Sequence, residues 1–463
     1  REGAGNARYL YIHAHSFTRG KGSSMKSTKS GKAGKVDEAR IHRDEAKHLM
    51  NTYRRPPVVF THGKGCYLFD SKGKKYLDFL GGIAVNALGY SHNRLVKVIR
   101  RESANAVHLS NLFHNPYQGP LAAKLAKWSG LDRVFFSNSG SEAMEGALKL
   151  ARIYARKHAN DGLPPRTRFL ALENSFHGRT FGALSITSTP KYREPFEPLV
   201  PSVDFVRFND VQDLEAKFEP NAEGGVCALV VEPVQGEGGI YPVSEEFWQR
   251  ARELTQAHQA ALIADEIQSG LGRTGRRFAY QKFEARPDIV TVAKPLAGGL
   301  PLGAIIASEE FASAISPGLH GSTFGGGPMI CAVALEFLTL MEEEKLIENV
   351  RARGAELRAG LEKLAAKFDF VREVRGEGLM LGMELSVDGA PYVEAALRNG
   401  LIINCTHEHT VRLLPPFIIR AQEVREFLGK FEAVLAKTPK PKTKPAQHAA
   451  HSQAQPVALA VAR

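Results

Sequence analysis

The chain has 463 residues, 43% hydrophobic and 24% charged, enough for two domains and for a core that needs no metal or disulfide to hold it. The net charge of +12 invites a nucleic-acid partner, but it is carried at the ends: residues 1–44 hold ten Lys/Arg against four Asp/Glu, residues 436–463 hold five against none, and residues 45–435 are close to neutral. Neither nucleic acid nor a membrane is therefore an expected partner: no apolar h-region follows the basic start, and no run approaches the ~18 apolar residues of a membrane span.

In chain order, Lys-Gly-Ser-Ser-Met-Lys-Ser-Thr-Lys-Ser-Gly-Lys-Ala-Gly-Lys (21–35) is too polar to bury, so residues 1–44 are expected to form a disordered basic tail, with Met25 a plausible true start. Residues 45–95 contain a strand-turn-strand signal, Cys-Tyr-Leu-Phe-Asp-Ser-Lys-Gly-Lys-Lys-Tyr-Leu-Asp-Phe (66–79). Residues 96–334 alternate apolar runs with helical stretches. The runs 133–138, 227–232, 261–266 and 288–293 predict strands buried on both faces of a mainly parallel sheet, and 141–158 predicts an amphipathic helix. Residues 335–436 carry two long helical patterns (347–368 and 420–436) around short strands, and are expected to meet residues 45–95 in a smaller α+β domain. Residues 437–463 form a second basic tail. Four widely spaced cysteines predict a reducing, cytoplasmic setting and no metal site.

Three features carry chemistry. In Ser-Asn-Ser-Gly-Ser-Glu-Ala-Met-Glu (137–145) a strand gives way through small residues to a helix, whose unpaired N–H groups at Gly140 and Ser141 could hold a phosphate; a plain N-cap is the alternative. Asp265, after four apolar residues, stands at the carboxyl end of a core strand, where a carboxylate is costly unless paired; a surface turn would place it equally well. Lys294 stands at the corresponding place on another strand, before Pro295 and two glycines that turn the chain away, and desolvation there would favour its free amine. Together they are the parts a pyridoxal-phosphate site requires: an anion site, an acid that keeps the pyridine nitrogen protonated, and an amine to hold the aldehyde as a Schiff base.

On these residues, and on Ser-Phe-His-Gly-Arg-Thr (175–180), Glu-Pro-Val-Gln-Gly-Glu-Gly-Gly (232–239), Ala-Asp-Glu-Ile-Gln-Ser-Gly (264–270), His-Gly-Ser-Thr-Phe-Gly-Gly (320–326) and Asn-Cys-Thr…Val-Arg-Leu-Leu-Pro-Pro (404–416), the sequence resembles the class III (ω-amino acid) aminotransferases over residues 48–435, most closely the acetylornithine/succinylornithine branch. The resemblance implies the type I fold of pyridoxal-phosphate-dependent transferases, an α/β architecture with a large domain and a smaller one built from both chain ends. It implies backbone phosphate binding at Gly140 and Ser141, Phe176 stacked on the cofactor ring, Asp265 on the pyridinium and Gln268 near the ring hydroxyl. Thr323 would reach the phosphate of a partner subunit's cofactor, making the enzyme a homodimer, with Ser322 near the substrate. Arg179 would clamp a substrate carboxylate, and Arg412, masked by Glu237 while the amino donor reacts, would take the α-carboxylate of 2-oxoglutarate.

Met144, Ser141, Tyr90 and Gly327 depart from the common pattern without removing a group the chemistry needs. The implied donor is N2-acetylornithine reacting at its terminal amine, with 2-oxoglutarate converted to glutamate. Ornithine aminotransferases carry a tyrosine where this chain has Ile83, and an apolar residue suits an acylated nitrogen. Ornithine or 4-aminobutyrate as donor, and an aminomutase of the same fold, are the alternatives.

Overall fold

The structure is a computed structural model that describes residues 36–159, 166–221 and 224–439. Met25, most of the front tail and all but the first residues of the rear tail lie outside the described residues. The chain divides into two units, Arg1–Val59 and Phe60–Arg463. The first unit differs from the tail expected up to residue 44: it contains a helix, Glu38–His48, with no buried residue. Local signals account for it. Asp37 caps the helix by accepting from Arg40 N at 3.0 Å, Glu38 lies in the first turn, and Lys47 and His48 lie in the last, each matching the helix dipole.

The second unit is organised around a seven-stranded sheet ordered Arg133–Ser137, Gly303–Ala307, Ile289–Val292, Ala261–Asp265, Gly225–Val231, Arg166–Leu172, Val203–Val206. The last five run parallel; Gly303–Ala307 is antiparallel to both neighbours. The near-continuous apolar runs are explained by burial on both faces: Leu262 and Ala264 join one hydrophobic cluster while Ala261 and Ile263 join another. The helix Gly140–Lys157 covers the second face, burying Ala143, Met144, Ala147, Leu148, Leu150 and Ala151. Strand order and direction place the carboxyl ends of the parallel strands, the region where such sheets bind ligands, along one edge.

The strands Tyr67–Asp70 and Lys75–Asp78 pair antiparallel, as the front signal predicts. Asp70 Oδ1 accepts from Lys72 N at 2.9 Å and Lys74 N at 2.8 Å, and Gly73 takes the left-handed backbone (φ 80°) that closes the turn. Leu401–Ile402, from the other end of the chain, pairs parallel with Lys75–Asp78. A further sheet, Val371–Glu377, Met380–Leu385, Thr410–Leu413 and Asn404–Thr406, packs with the long helix Leu346–Lys367, which in turn packs against Ala421–Lys437. Among the described residues no helix is long and apolar enough to cross a membrane.

Candidate active site

Beyond the carboxyl ends of the strands lies a cavity of about 340 Å³, walled by Gly140 and Ser141, Phe176 and His177, Asp265, Gln268 and Lys294, among others. Six of the residues singled out in the sequence therefore meet in one place. Lys294 follows the strand Ile289–Val292 at the start of a single 3-10 turn, Lys294–Leu296. Burial pulls its ammonium pKa below the ordinary lysine value; the negative charges of Glu237, Asp265 and Glu232 oppose this and do not reverse it.

Asp265 ends the adjacent strand, paired in register with Thr291, and is 4% exposed. Its Oδ2 accepts from His177 Nδ1 at 2.7 Å, and its Oδ1 accepts from Ile267 N at 3.1 Å and Thr291 Oγ1 at 3.3 Å. Burial alone would lower the His177 pKa; the hydrogen bond to Asp265 and that carboxylate's charge outweigh it, and the net shift is upward. His177 Nε2 is buried with no partner among the described residues. Glu232 completes this acidic wall: Oε2 accepts from Phe176 N and Oε1 from Gly236 N, both at 3.1 Å, and burial pushes its carboxyl up to about 7.

The anion end is built by the strand-to-helix turn. Ser139 caps the helix Gly140–Lys157, its Oγ accepting from Glu142 N at 3.2 Å, and the amides of Gly140 and Ser141 fall in the first turn, which a helix leaves without acceptors of its own. A Cβ on Gly140 would come within 2.8 Å of Ile267 Cδ1, so a side chain there would crowd the turn. The sequence predicts a backbone role for Ser141; its hydroxyl also accepts from Arg179 N at 3.2 Å, tying the helix start to the next motif.

Arg412 lies on Thr410–Leu413 with its side chain fully enclosed. Its Nη1 donates to Glu237 Oε1 at 2.6 Å and to Gln268 Oε1 at 3.3 Å, its Nε donates to Asn404 Oδ1 at 3.2 Å, and Nη2 is buried without a partner among the described residues. Gln268 thus joins the cavity to the Glu237–Arg412 pair. Burial would raise the Glu237 carboxyl, but the charge and hydrogen bond of Arg412 hold it below the usual glutamate value. Arg179 rests its guanidinium on the ring of Tyr192 at 3.8 Å, with Phe176 at 5.4 Å. Ser322 and Thr323 stand apart from the cavity wall: Ser322 Oγ accepts from Asn138 Nδ2 at 3.3 Å and Gly325 N at 2.9 Å, and Thr323 is exposed. Ile83, in left-handed backbone at φ 62°, packs beside Leu80 against Ala84, Val234, Ile240, Met380 and Leu414.

His177, Glu232, Tyr192 and Thr291 escape the sequence reading. For Glu232 a signal is present, since it follows the buried strand Gly225–Val231 much as Asp265 ends its neighbour. The set fits pyridoxal phosphate: an aromatic face at Phe176, a paired acid, a desolvated amine and a helix start around one cavity.

The family described as aminotransferase class-III matches residues 49–435. The acetylornithine aminotransferase of Aquifex aeolicus is 42% identical over 390 residues, covering 84% of this chain and 100% of that protein. Among solved structures, the ornithine aminotransferase of Toxoplasma gondii ME49 superposes with a TM-score of 0.81 at 33% identity, covering 87% of this chain and 95% of that one. The acetylornithine aminotransferase of Elizabethkingia anophelis superposes with a TM-score of 0.76 at 31% identity, covering 87% and 100%.

Proposed function

Since the chain belongs to the class-III aminotransferases, we propose that it moves the terminal amino group of N2-acetyl-L-ornithine, or a related acylated diamino acid, to 2-oxoglutarate, giving N-acetylglutamate 5-semialdehyde and glutamate, a step of arginine biosynthesis. One observation carries the reaction type: Lys294 and Asp265 leave adjacent strands of the core sheet into a single cavity that also contains the start of the helix Gly140–Lys157. Enzymes of this class depend on pyridoxal phosphate, and the T. gondii ornithine aminotransferase carries it in partial occupancy at its active site. When bound, pyridoxal phosphate supplies a carbon that carries the amino group and an electron-poor ring that accepts charge from the substrate carbon.

The residues divide the remaining work. The amides of Gly140 and Ser141 would hold the phosphate, and Phe176 would cover one ring face. Asp265, held by His177, Ile267 and Thr291, would keep a proton on the ring nitrogen, and Gln268 would stand near the ring hydroxyl. The Lys294 amine, whose charged form burial disfavours, would anchor the cofactor and then take a proton from the substrate's terminal carbon and return it on the cofactor side, help worth roughly 10²–10⁴-fold in rate. Arg179 would clamp a substrate carboxylate. Glu237 would cover Arg412 during the donor half and swing aside for the α-carboxylate of 2-oxoglutarate, while Ser322 would line the approach.

The choice of an acylated donor rests on the A. aeolicus relative's name and on Ile83, which offers no hydrogen bond to a free α-amino group. The likeness to the T. gondii enzyme favours ornithine as the second reading. Coupled assays with 2-oxoglutarate, comparing acetylornithine, ornithine and 4-aminobutyrate, test the choice: acetylornithine should give the highest kcat/KM. A lead of about tenfold for another donor, roughly 1.4 kcal/mol of transition-state discrimination, would overturn it.

The active unit in this reading is a homodimer in which Thr323 meets the partner's cofactor phosphate. In support, Asn111 Nδ2 donates to Ser322 O and Gly325 O, bringing together two segments that expose Leu112 (88%), Phe113 (69%) and Phe324 (64%), an apolar surface suited to a second copy. The four cysteines, all free, favour a cytoplasmic setting.

A further inference from the structure

The two arginines assigned to substrate carboxylates are held in opposite ways. Arg412 is fixed by an acid and two side-chain carbonyls, which engage its Nε and Nη1. Arg179 has no acidic side chain within 4 Å among the described residues. Its guanidinium carbon lies 3.8 Å from the centre of the Tyr192 ring and 5.4 Å from that of Phe176. The two rings meet edge to face, with centroids 6.2 Å apart and planes at 85°, so the arginine sits in an aromatic corner.

The difference matters chemically. An acid orients a guanidinium by consuming N–H groups, and a substrate must displace it. A ring face attracts the cation through its π cloud and brings no carboxylate to compete for the N–H groups. An arginine held in this way is oriented and still has its fork free for a carboxylate. Tyr192 supplies the nearer face. It comes from the four-residue helix Pro190–Arg193 and is not part of the cavity wall, so this stacking is its contribution to the site. The Arg179 backbone is fixed separately, through the hydrogen bond its N–H donates to Ser141 Oγ, which leaves the side chain as the part that Tyr192 restrains.

We propose that Tyr192 is a positioning residue of the donor site: its ring face holds the Arg179 fork open for the carboxylate of the incoming amino acid and so makes the enzyme select amines that carry one. The inference rests on the reading of Arg179 as the carboxylate clamp.

The test uses the holoenzyme with Tyr192→Phe, Tyr192→Leu and Arg179→Met, assayed with acetylornithine (or whichever carboxylate-bearing amine the wild type uses best) and, in single turnover, with 1-pentylamine, which has no carboxylate. Tyr192→Phe keeps the face and should stay within about twofold of wild type. Tyr192→Leu should raise the KM for the carboxylate-bearing amine by roughly three- to thirtyfold, the range of a cation–π contact, with kcat nearly unchanged and the pentylamine rate unaffected. In the Arg179→Met background it should add no further loss. If Tyr192→Leu proves insoluble, Tyr192→Gln also removes the face and repeats the test. Should Arg179→Met raise KM while Tyr192→Leu does not, the positioning role is wrong and the clamp stands. A Tyr192→Leu variant that slows both amines equally would show a general packing role and also overturn the proposal. If Arg179→Met leaves KM unchanged, the clamp reading falls, and the role of Tyr192 falls with it.

Discussion

Replacing Glu237 with glutamine tests the idea that one acid decides when Arg412 is open to a ligand. Arg412 is fully enclosed and Glu237, at 2.6 Å, is its only acidic partner among the described residues. Two unit charges about 4 Å apart attract by about 4 kcal/mol at an effective dielectric near 20. The Glu237 side chain is 30% exposed, so solvent screens part of this, and the glutamine amide keeps a hydrogen bond worth about 1 kcal/mol. That leaves roughly 1–3 kcal/mol that an incoming α-carboxylate must now overcome to displace the acid, a factor of roughly 5–150 in affinity. Glu237→Gln should therefore lower the KM for 2-oxoglutarate within that range and raise the kcat/KM of glutamate relative to acetylornithine as donor. Steady-state kinetics on each half-reaction measure both. The variant should also lose up to about 3 kcal/mol of stability, because the enclosed guanidinium keeps its charge without its counter-charge. The sign with pH follows from the depressed Glu237 carboxyl: the pair's stabilisation is complete above the ordinary glutamate value of about 4.3 and is lost as pH falls through the lower folded value. The stability gap between wild type and variant should hold across neutral pH and close only below about pH 4. Unchanged donor preference, within about twofold, would refute the masking role of Glu237.

Four other outcomes follow. Purified protein reconstituted with pyridoxal phosphate should be yellow, and borohydride should fix the adduct at Lys294; Lys294→Ala should show neither, with turnover reduced by at least ~10²-fold. In cofactor-free protein, the rate of that adduct's formation should level off at a pH below the ordinary lysine value of about 10.4, because burial lowers the ammonium pKa. The His177 pKa is raised, so its pairing with Asp265 stabilises fully below the unfolded imidazole value of about 6.5 and fades as pH rises through the folded value; the penalty of His177→Gln in urea titrations should be largest in acid and shrink toward alkaline pH. Mixing inactive Lys294→Ala with a cofactor-weak Thr323→Ala variant should restore up to about a quarter of wild-type activity, since half of randomly reassorted dimers would carry one intact site of two. No recovery after subunit exchange would argue against the shared site.

What could be read ahead of the structure was whatever depends on neighbours in the chain. Asp265 and Lys294 were visible because each interrupts a buried apolar run, and Gly140 because a strand turns into a helix through small residues. The pairing of His177 with Asp265 spans 88 positions and leaves no local trace; a single histidine in Ser-Phe-His-Gly fits a packed core equally well. The stacking of Arg179 on Tyr192 is hidden because Tyr192 belongs to a polar segment with no periodicity. Gly303–Ala307 is hard to read as a strand because its short apolar run follows a glycine- and proline-rich turn, and nothing local sets its direction. The helix Glu38–His48 is masked in the sequence because the strongly basic composition around it obscures the cap at Asp37.

That reversed strand shapes the mounting of the nucleophile. A parallel neighbour would have required a long excursion across the sheet after Lys294, but Gly303–Ala307 starts where Ile289–Val292 ends, with Val292 opposite Ala304. Residues 293–302 are thus a short bridge anchored at both feet by ladder hydrogen bonds, and its far half, Gly299–Leu302, forms part of the cavity wall. An amine on such a span has side-chain reach but little backbone travel, so reactants must be brought to it. Amide exchange at Thr291–Val292 and Ala304–Ile305 should be among the slowest in the chain. Lengthening the bridge by even one glycine should separate cofactor retention from folding, leaving an intact protein that no longer aims its amine.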